Sequence, residues 1–90
     1  MDDMSLEGIL QFPCEFPLKV IGWNNEDLTA DVVQILKKHV PGFEPASITS
    51  RLSNGEKYRS LSMNFTAQSR DQVDALYIEL TAHQQILWVL

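Results

Sequence analysis

Residues 47–67 hold two runs of alternating character joined at Ser53-Asn54-Gly55-Glu56. Asn-Gly between such runs is the strongest short signal for a β-hairpin, because both central residues of a type I′ turn take positive φ. A two-residue loop predicts the register: Ser53 opposite Glu56, Arg51 opposite Tyr58, Thr49 opposite Ser60 and Ile48 opposite Leu61. The side-chain period of two then sorts the faces. Leu61, Met63, Phe65 and Ala67 share one face with Ile48 and Leu52. Tyr58, Ser60, Ser62, Asn64 and Thr66 point the other way, with Thr49 and Arg51. One face is built for a core, and the other is largely polar.

The flanking segments supply the rest of a domain. Residues 18–23 read as a first strand with Phe16, Leu18 and Val20 toward the core and Lys19, Ile21 and Trp23 on the open face. Pro17 at its start removes only a first ladder donor. Asn24 or Asn25 is placed to cap a helix whose Leu28, Val32, Ile35, Leu36 and Val40 recur at helical spacing. Lys37, Lys38 and His39 suit the negative end of its dipole, and Pro41-Gly42 stops it. Ser69-Arg70-Asp71-Gln72 fits a capping box that opens a second helix with the stripe Val73, Leu76, Tyr77 and Leu80. Residues 86–90 form a final strand. Periodicity groups Trp88 with Ile86 and Leu90 and assigns it to the core, although this strand is apolar on both faces and leaves open which one is buried.

The order is β-α-β-β-α-β, which predicts an α+β, ferredoxin-like two-layer sandwich. Right-handed crossovers place the first and third strands side by side in the centre of a four-stranded antiparallel sheet, with both helices on one face. Residues 1–11 read as an N-terminal arm, with Ser5 capping a short turn that carries Leu6, Ile9 and Leu10. Residues 12–90 form the single ferredoxin-like domain.

Composition excludes several functions. Net charge is −5, which argues against nucleic acid and anionic membranes, since both reward a basic patch. One cysteine, Cys14, cannot form an internal disulfide. No apolar run approaches the ~18 residues that span a bilayer. The start Met1-Asp2-Asp3-Met4 is acidic where a signal peptide would be basic, so a cytoplasmic location is expected.

No residue pattern points to catalysis. A reactive thiol needs a helix N-terminus, a nearby cation or a second cysteine, and Cys14 has Glu15 beside it, so Cys14 reads as a packed side chain. His39 and His83 lie outside metal-ligand spacing, so neither a metal nor a cofactor is expected. Acylphosphatases share this fold but need an Arg-bearing anion loop after the first strand. Here that loop is Gly22-Trp23-Asn24-Asn25-Glu26-Asp27. RNA-recognition motifs stack bases on outer-face aromatics, and Ser60, Ser62 and Asn64 offer no platform.

The blocks Phe12-Pro13-Cys14-Glu15-Phe16-Pro17-Leu18-Lys19-Val20-Ile21-Gly22, His39-Val40-Pro41-Gly42 and Ser53-Asn54-Gly55-Glu56-Lys57-Tyr58-Arg59-Ser60 resemble the YbeD-like family of small bacterial proteins. Gln72-Val73, Tyr77, Leu80 and the terminal Trp88-Val89-Leu90 extend the resemblance over nearly the whole chain. It implies a fold similar to the ACT regulatory domains, which bind small ligands at paired domains, and a link to lipoate metabolism. It supplies no catalytic residues.

The expected function is therefore a non-catalytic regulatory domain that binds a small ligand or a protein. The alternative is a small enzyme of acylphosphatase-like fold with an unrecognised site. The candidate ligand or interface residues are Lys19, Ile21, Trp23, Arg51 and Tyr58. The edge strand of residues 47–52 has Arg51 as its single charged guard, which predicts a homodimer or a protein partner seated on the open face or that edge.

Overall fold

A computed structural model describes residues 11–90. The expected turn over residues 5–10 lies outside them. Strand β1 runs Cys14–Trp23, helix α1 Leu28–His39, a 3-10 turn Pro45–Ser47, β2 Thr49–Leu52, β3 Tyr58–Ala67, α2 Arg70–Ala82 and β4 Ile86–Val89. The sheet order is β2-β3-β1-β4, with every neighbouring pair antiparallel. The β-α-β-β-α-β expectation holds, including β1 and β3 in the centre.

β1 alternates as its sequence requires. Leu18 and Val20 are buried, Glu15, Pro17 and Lys19 are exposed, and Phe16 packs half-buried on the core. It starts four residues earlier than predicted and carries Pro17 inside it, paired with Asn64. Lys19 exchanges hydrogen bonds with Leu90 on the β4 side (3.0 and 2.8 Å). Pro17, two residues earlier, turns its missing N–H to that same side, beyond the end of β4. No ladder bond is lost.

α1 buries the stripe expected of it: Leu28, Val32, Ile35 and Leu36, with Val40 at its C-cap. Its start differs from the prediction. Asp27 is the N-cap, without a side-chain cap bond, and Asn25 instead forms an Asx turn in which its Oδ1 accepts from Asp27 N–H at 2.7 Å. Ser69 caps α2 as predicted, its Oγ accepting from Gln72 N–H at 3.1 Å. Gln72 Oε1 reaches back to Gln68 N–H at 2.7 Å, one residue before the cap. Val73, Leu76 and Leu80 are buried. Phe43, in the loop after α1, also enters the core.

The hairpin register is shifted by two residues from the predicted one. Arg51 faces Ser60 and Leu52 faces Arg59. Ser53 N–H donates to Tyr58 O at 2.8 Å, so the loop holds four residues, not two. Glu56 N–H donates to Ser53 O at 2.8 Å, and Gly55 (φ 87°) has positive φ while Asn54 does not. Those are the φ signs of a type II turn, in which glycine sits third, and Glu56 (φ 58°) follows in the left-handed region. The type I′ assignment is therefore overturned. A slip of two leaves every side chain on its predicted face. Leu52 nevertheless stays exposed, because no helix covers the edge strand.

β4 departs from simple alternation. Gly22 pairs with Ile86 and Ile21 with Trp88, leaving Leu87 as the extra residue of a bulge. Ile86 is buried and Val89 packs on the core, but Trp88 turns to the open face and is 57% exposed. The core assignment of Trp88 is thereby corrected. Gly22 permits this join: a Cβ there would lie 2.5 Å from Gln85 O, the carbonyl that accepts from Trp23 N–H at 2.9 Å.

One core lies between the helices and a single sheet face, built around Val20, Leu28, Leu36, Leu61, Leu76 and Leu80. Among the described residues no polar or charged one is fully buried.

Candidate functional site

Two central strands lay out the uncovered sheet face. From β1 it receives Glu15, Pro17, Lys19, Ile21 and Trp23; opposite them on β3 stand Thr66, Asn64, Ser62, Ser60 and Tyr58. Trp23 and Tyr58 are direct cross-strand partners, with ring centroids 5.2 Å apart at 32°. The bulge adds Trp88 opposite Ile21, and the edge strand adds Arg51 opposite Ser60.

These side chains close round a hollow of about 220 Å³ lined by Lys19, Ile21, Arg51, Tyr58, Ser60 and Trp88. Four of the five predicted site residues share it, and Trp23 stacks on the outer side of Tyr58. Lys19 also borders a second hollow toward Pro17, Asn64 and Leu90. Trp88 was missed as a site residue, since only the bulge turns it outward.

The face also differs in charge from the rest of the molecule. Lys19 and Arg51 take part in no ion pair among the described residues, whereas Lys38–Glu79 (3.2 Å) and Arg70–Asp74 (3.7 Å) pair cations with acids in the helical layer. Glu15 is the acid on the open face, at its far corner opposite Thr66.

Elsewhere the titratable groups have structural roles. His39 Nε2 meets Glu79 Oε1 at 2.7 Å, and His83 Nε2 meets Asp31 Oδ2 at 2.9 Å, so both histidines tie α1 to α2 or its C-cap. Hydrogen bonds from His39 and then Lys38 hold the Glu79 carboxyl below its usual range. Burial pushes the Tyr77 phenol up. Cys14 is half-buried against the core. Among the described residues no three His, Cys, Asp or Glu side chains gather in metal-binding geometry, and no helix is long and apolar enough to cross a membrane. The loop after β1 gains one cation that its own sequence lacks. Arg59 borders it, but donates to Ser50 Oγ and stands beside Glu26 and Asp27.

The sequence of residues 7–90 matches the family model described as a protein of unknown function, DUF493. The chain belongs to this family. A UPF0250 protein of Shewanella woodyi is 40% identical over 91 aligned positions that cover both chains completely. A UPF0250 protein of Chromobacterium violaceum is 32% identical over 84 positions, covering 93% of this chain and 94% of the relative. The solution structure of protein HP0495 from H. pylori superposes with a TM-score of 0.76 at 15% identity, over 100% of this chain and 94% of that one. That likeness carries the fold alone. DUF493 is an uncharacterised family whose members bear no enzyme name among these relatives.

Proposed function

We propose that this member of DUF493 is a non-catalytic regulatory domain that works by binding another protein through the open face of its sheet. The observation that carries the reading is the gathering of Trp23, Trp88, Tyr58 and Arg51 on one uncovered face, with Ile21 at its centre. Trp, Tyr and Arg are the residue types in which binding energy concentrates at protein interfaces. Trp88 is 57% exposed in a domain whose small core has a use for every large apolar side chain. A small-molecule site is less well supported. The hollow beside Tyr58 and Trp88, about 220 Å³, is below the ~300–1,000 Å³ of clefts that enclose a ligand, and the one of about 420 Å³ toward Pro17, Asn64 and Leu90 has no aromatic side chain in its lining. The lipoate link implied by the resemblance enters only as the first place to look for the partner.

The test is affinity purification of the tagged chain from its native host, beside Trp88→Ser and Arg51→Glu variants, with quantitative mass spectrometry. A partner enriched with the wild type and lost with both variants is expected. Identical protein sets from all three would overturn the reading, because both substitutions lie on the surface and leave the core intact.

A further inference from the structure

We propose that the occupant of this face is an acidic, amphipathic segment of a partner protein, its carboxylates on Lys19 and Arg51 and its apolar side chains on Ile21, Tyr58 and Trp88. The proposal rests on the binding reading above and names the chemistry of the partner.

Charge complementarity carries it. The molecule is acidic, with net charge −5, yet its acids are distributed unevenly. Glu26 and Asp27 lie at the entry to α1 and Asp31 within it; Asp71, Asp74 and Glu79 are on α2; Glu44 and Glu56 are in loops. Among the described residues the open face has two cations, Lys19 on central β1 and Arg51 on the edge strand β2, and a single acid at one corner. Arg51 and Lys19 stand on strands separated by β3 and are offset by two residues along them, so their backbones lie roughly 12 Å apart. Ser60 and Ser62, which face them on β3, add hydroxyls rather than counter-charges. A cation on an apolar surface gains most from an anion that arrives with its own apolar cover, because desolvation strengthens the pairing.

A second copy fits this face poorly. An isologous dimer sets each patch against itself and brings Lys19 and Arg51 toward their own duplicates. A heterologous contact, with the open face of one copy on the acidic helical layer of the next, uses the charges well but commits the chain to a ring or an open fibre. An anionic membrane is also a weaker fit, because lipid-binding surfaces carry clusters of about four to eight cations and this face has two.

The test is an amide NMR titration of the full chain with two end-blocked 18-residue peptides. Both carry the same Leu and Phe stripe at helical spacing, one flanked by Glu and the other by Lys. The Glu peptide is expected to shift Lys19, Ile21, Arg51, Tyr58 and Trp88, and the Lys peptide to bind at least about tenfold more weakly. A Lys19→Glu/Arg51→Glu variant is expected to invert that preference. Equal affinity for the two peptides, or no open-face shift with the Glu peptide, overturns the proposal. So does saturation of the hollow by phenylacetate as tightly as by the peptide, or the same shifts with phosphatidylserine vesicles. Photo-crosslinking in the host from a benzoylphenylalanine at position 88 separates the two readings. A captured protein whose loss follows Arg51→Glu, combined with failed peptide selectivity, leaves the binding domain standing and removes the acidic partner. No captured protein removes the binding reading itself.

Discussion

Three residues in the joins between strands bear the backbone constraints of this fold. Gly55 at φ 87° has open space where a Cβ would go, so Gly55→Ala is strained by its backbone alone. The expected cost is about 1–2 kcal/mol in a urea melt. Glu56 already pays that left-handed penalty as a non-glycine residue at φ 58°. Glu56→Gly is therefore expected to stabilise the protein by up to ~1 kcal/mol, seen as a raised Tm, and an unchanged or lowered Tm would contradict the turn geometry. Gly22 is constrained by space instead. An added Cβ meets the Gln85 carbonyl at 2.5 Å and the Leu28 methyls at 3.1 Å. Gly22→Ala should cost more than Gly55→Ala, about 2–3 kcal/mol, because backbone rather than a flexible side chain must move.

Between elements, side-chain bonds concentrate at the seam joining the two helices. Gln72 accepts from Gln68 N–H with its Oε1, just ahead of the α2 cap, and donates its Nε2 to His39 O, at the end of α1, at 2.9 Å. Gln72→Ala removes both bonds and is expected to cost about 1–2 kcal/mol in urea unfolding. Gln72→Glu keeps an acceptor for Gln68 N–H but loses the donor and turns a carboxylate toward the His39 carbonyl, so it should not restore wild-type stability. The same seam sets part of the acid limb of stability. Glu79 has its carboxyl lowered below 4.5 by His39 and Lys38. A lowered folded value means a contribution fully present above pH 4.5 and lost as pH falls through the folded value. Glu79→Gln should lower Tm by a constant amount above pH 4.5 and shallow the fall in stability below it, so that the two profiles converge at low pH, as read from Tm against pH.

At the scale of the whole molecule, a single small core holds two layers together. A domain of this length is stable by about 5–10 kcal/mol, so one cavity removes a large share of the total. Leu76 has no exposed surface, and Leu76→Ala is expected to cost about 2–5 kcal/mol, measured by chemical denaturation. The open face should behave in the opposite way. Trp88→Ser, 57% exposed in the wild type, is expected to change stability by less than about 1 kcal/mol while abolishing partner binding. A large loss of stability there would place Trp88 in the core after all.

What was legible from residues alone was parity and order. Apolar alternation in residues 58–67 and the i, i+3, i+4 stripe from Leu28 to Val40 depend only on the geometry of one strand or one helix, so they survive folding unchanged. The same parity put Lys19, Ile21, Trp23, Arg51 and Tyr58 on one face, and a register error of two could not disturb it. Tertiary structure decided what depends on a second strand or a covering layer. The four-residue loop and its type II turn prevailed over the Asn-Gly signal, because β2 and β3 pair along their length and the loop accommodates the result. The close approach of Gln85 to Gly22 and the bulge at Leu87 turned Trp88 outward. A one-residue bulge reverses parity, and nothing in an evenly apolar Ile86-Leu87-Trp88-Val89-Leu90 marks where it falls. The hollow between Lys19 and Arg51 is thus half a consequence of local periodicity and half a consequence of how two strands meet.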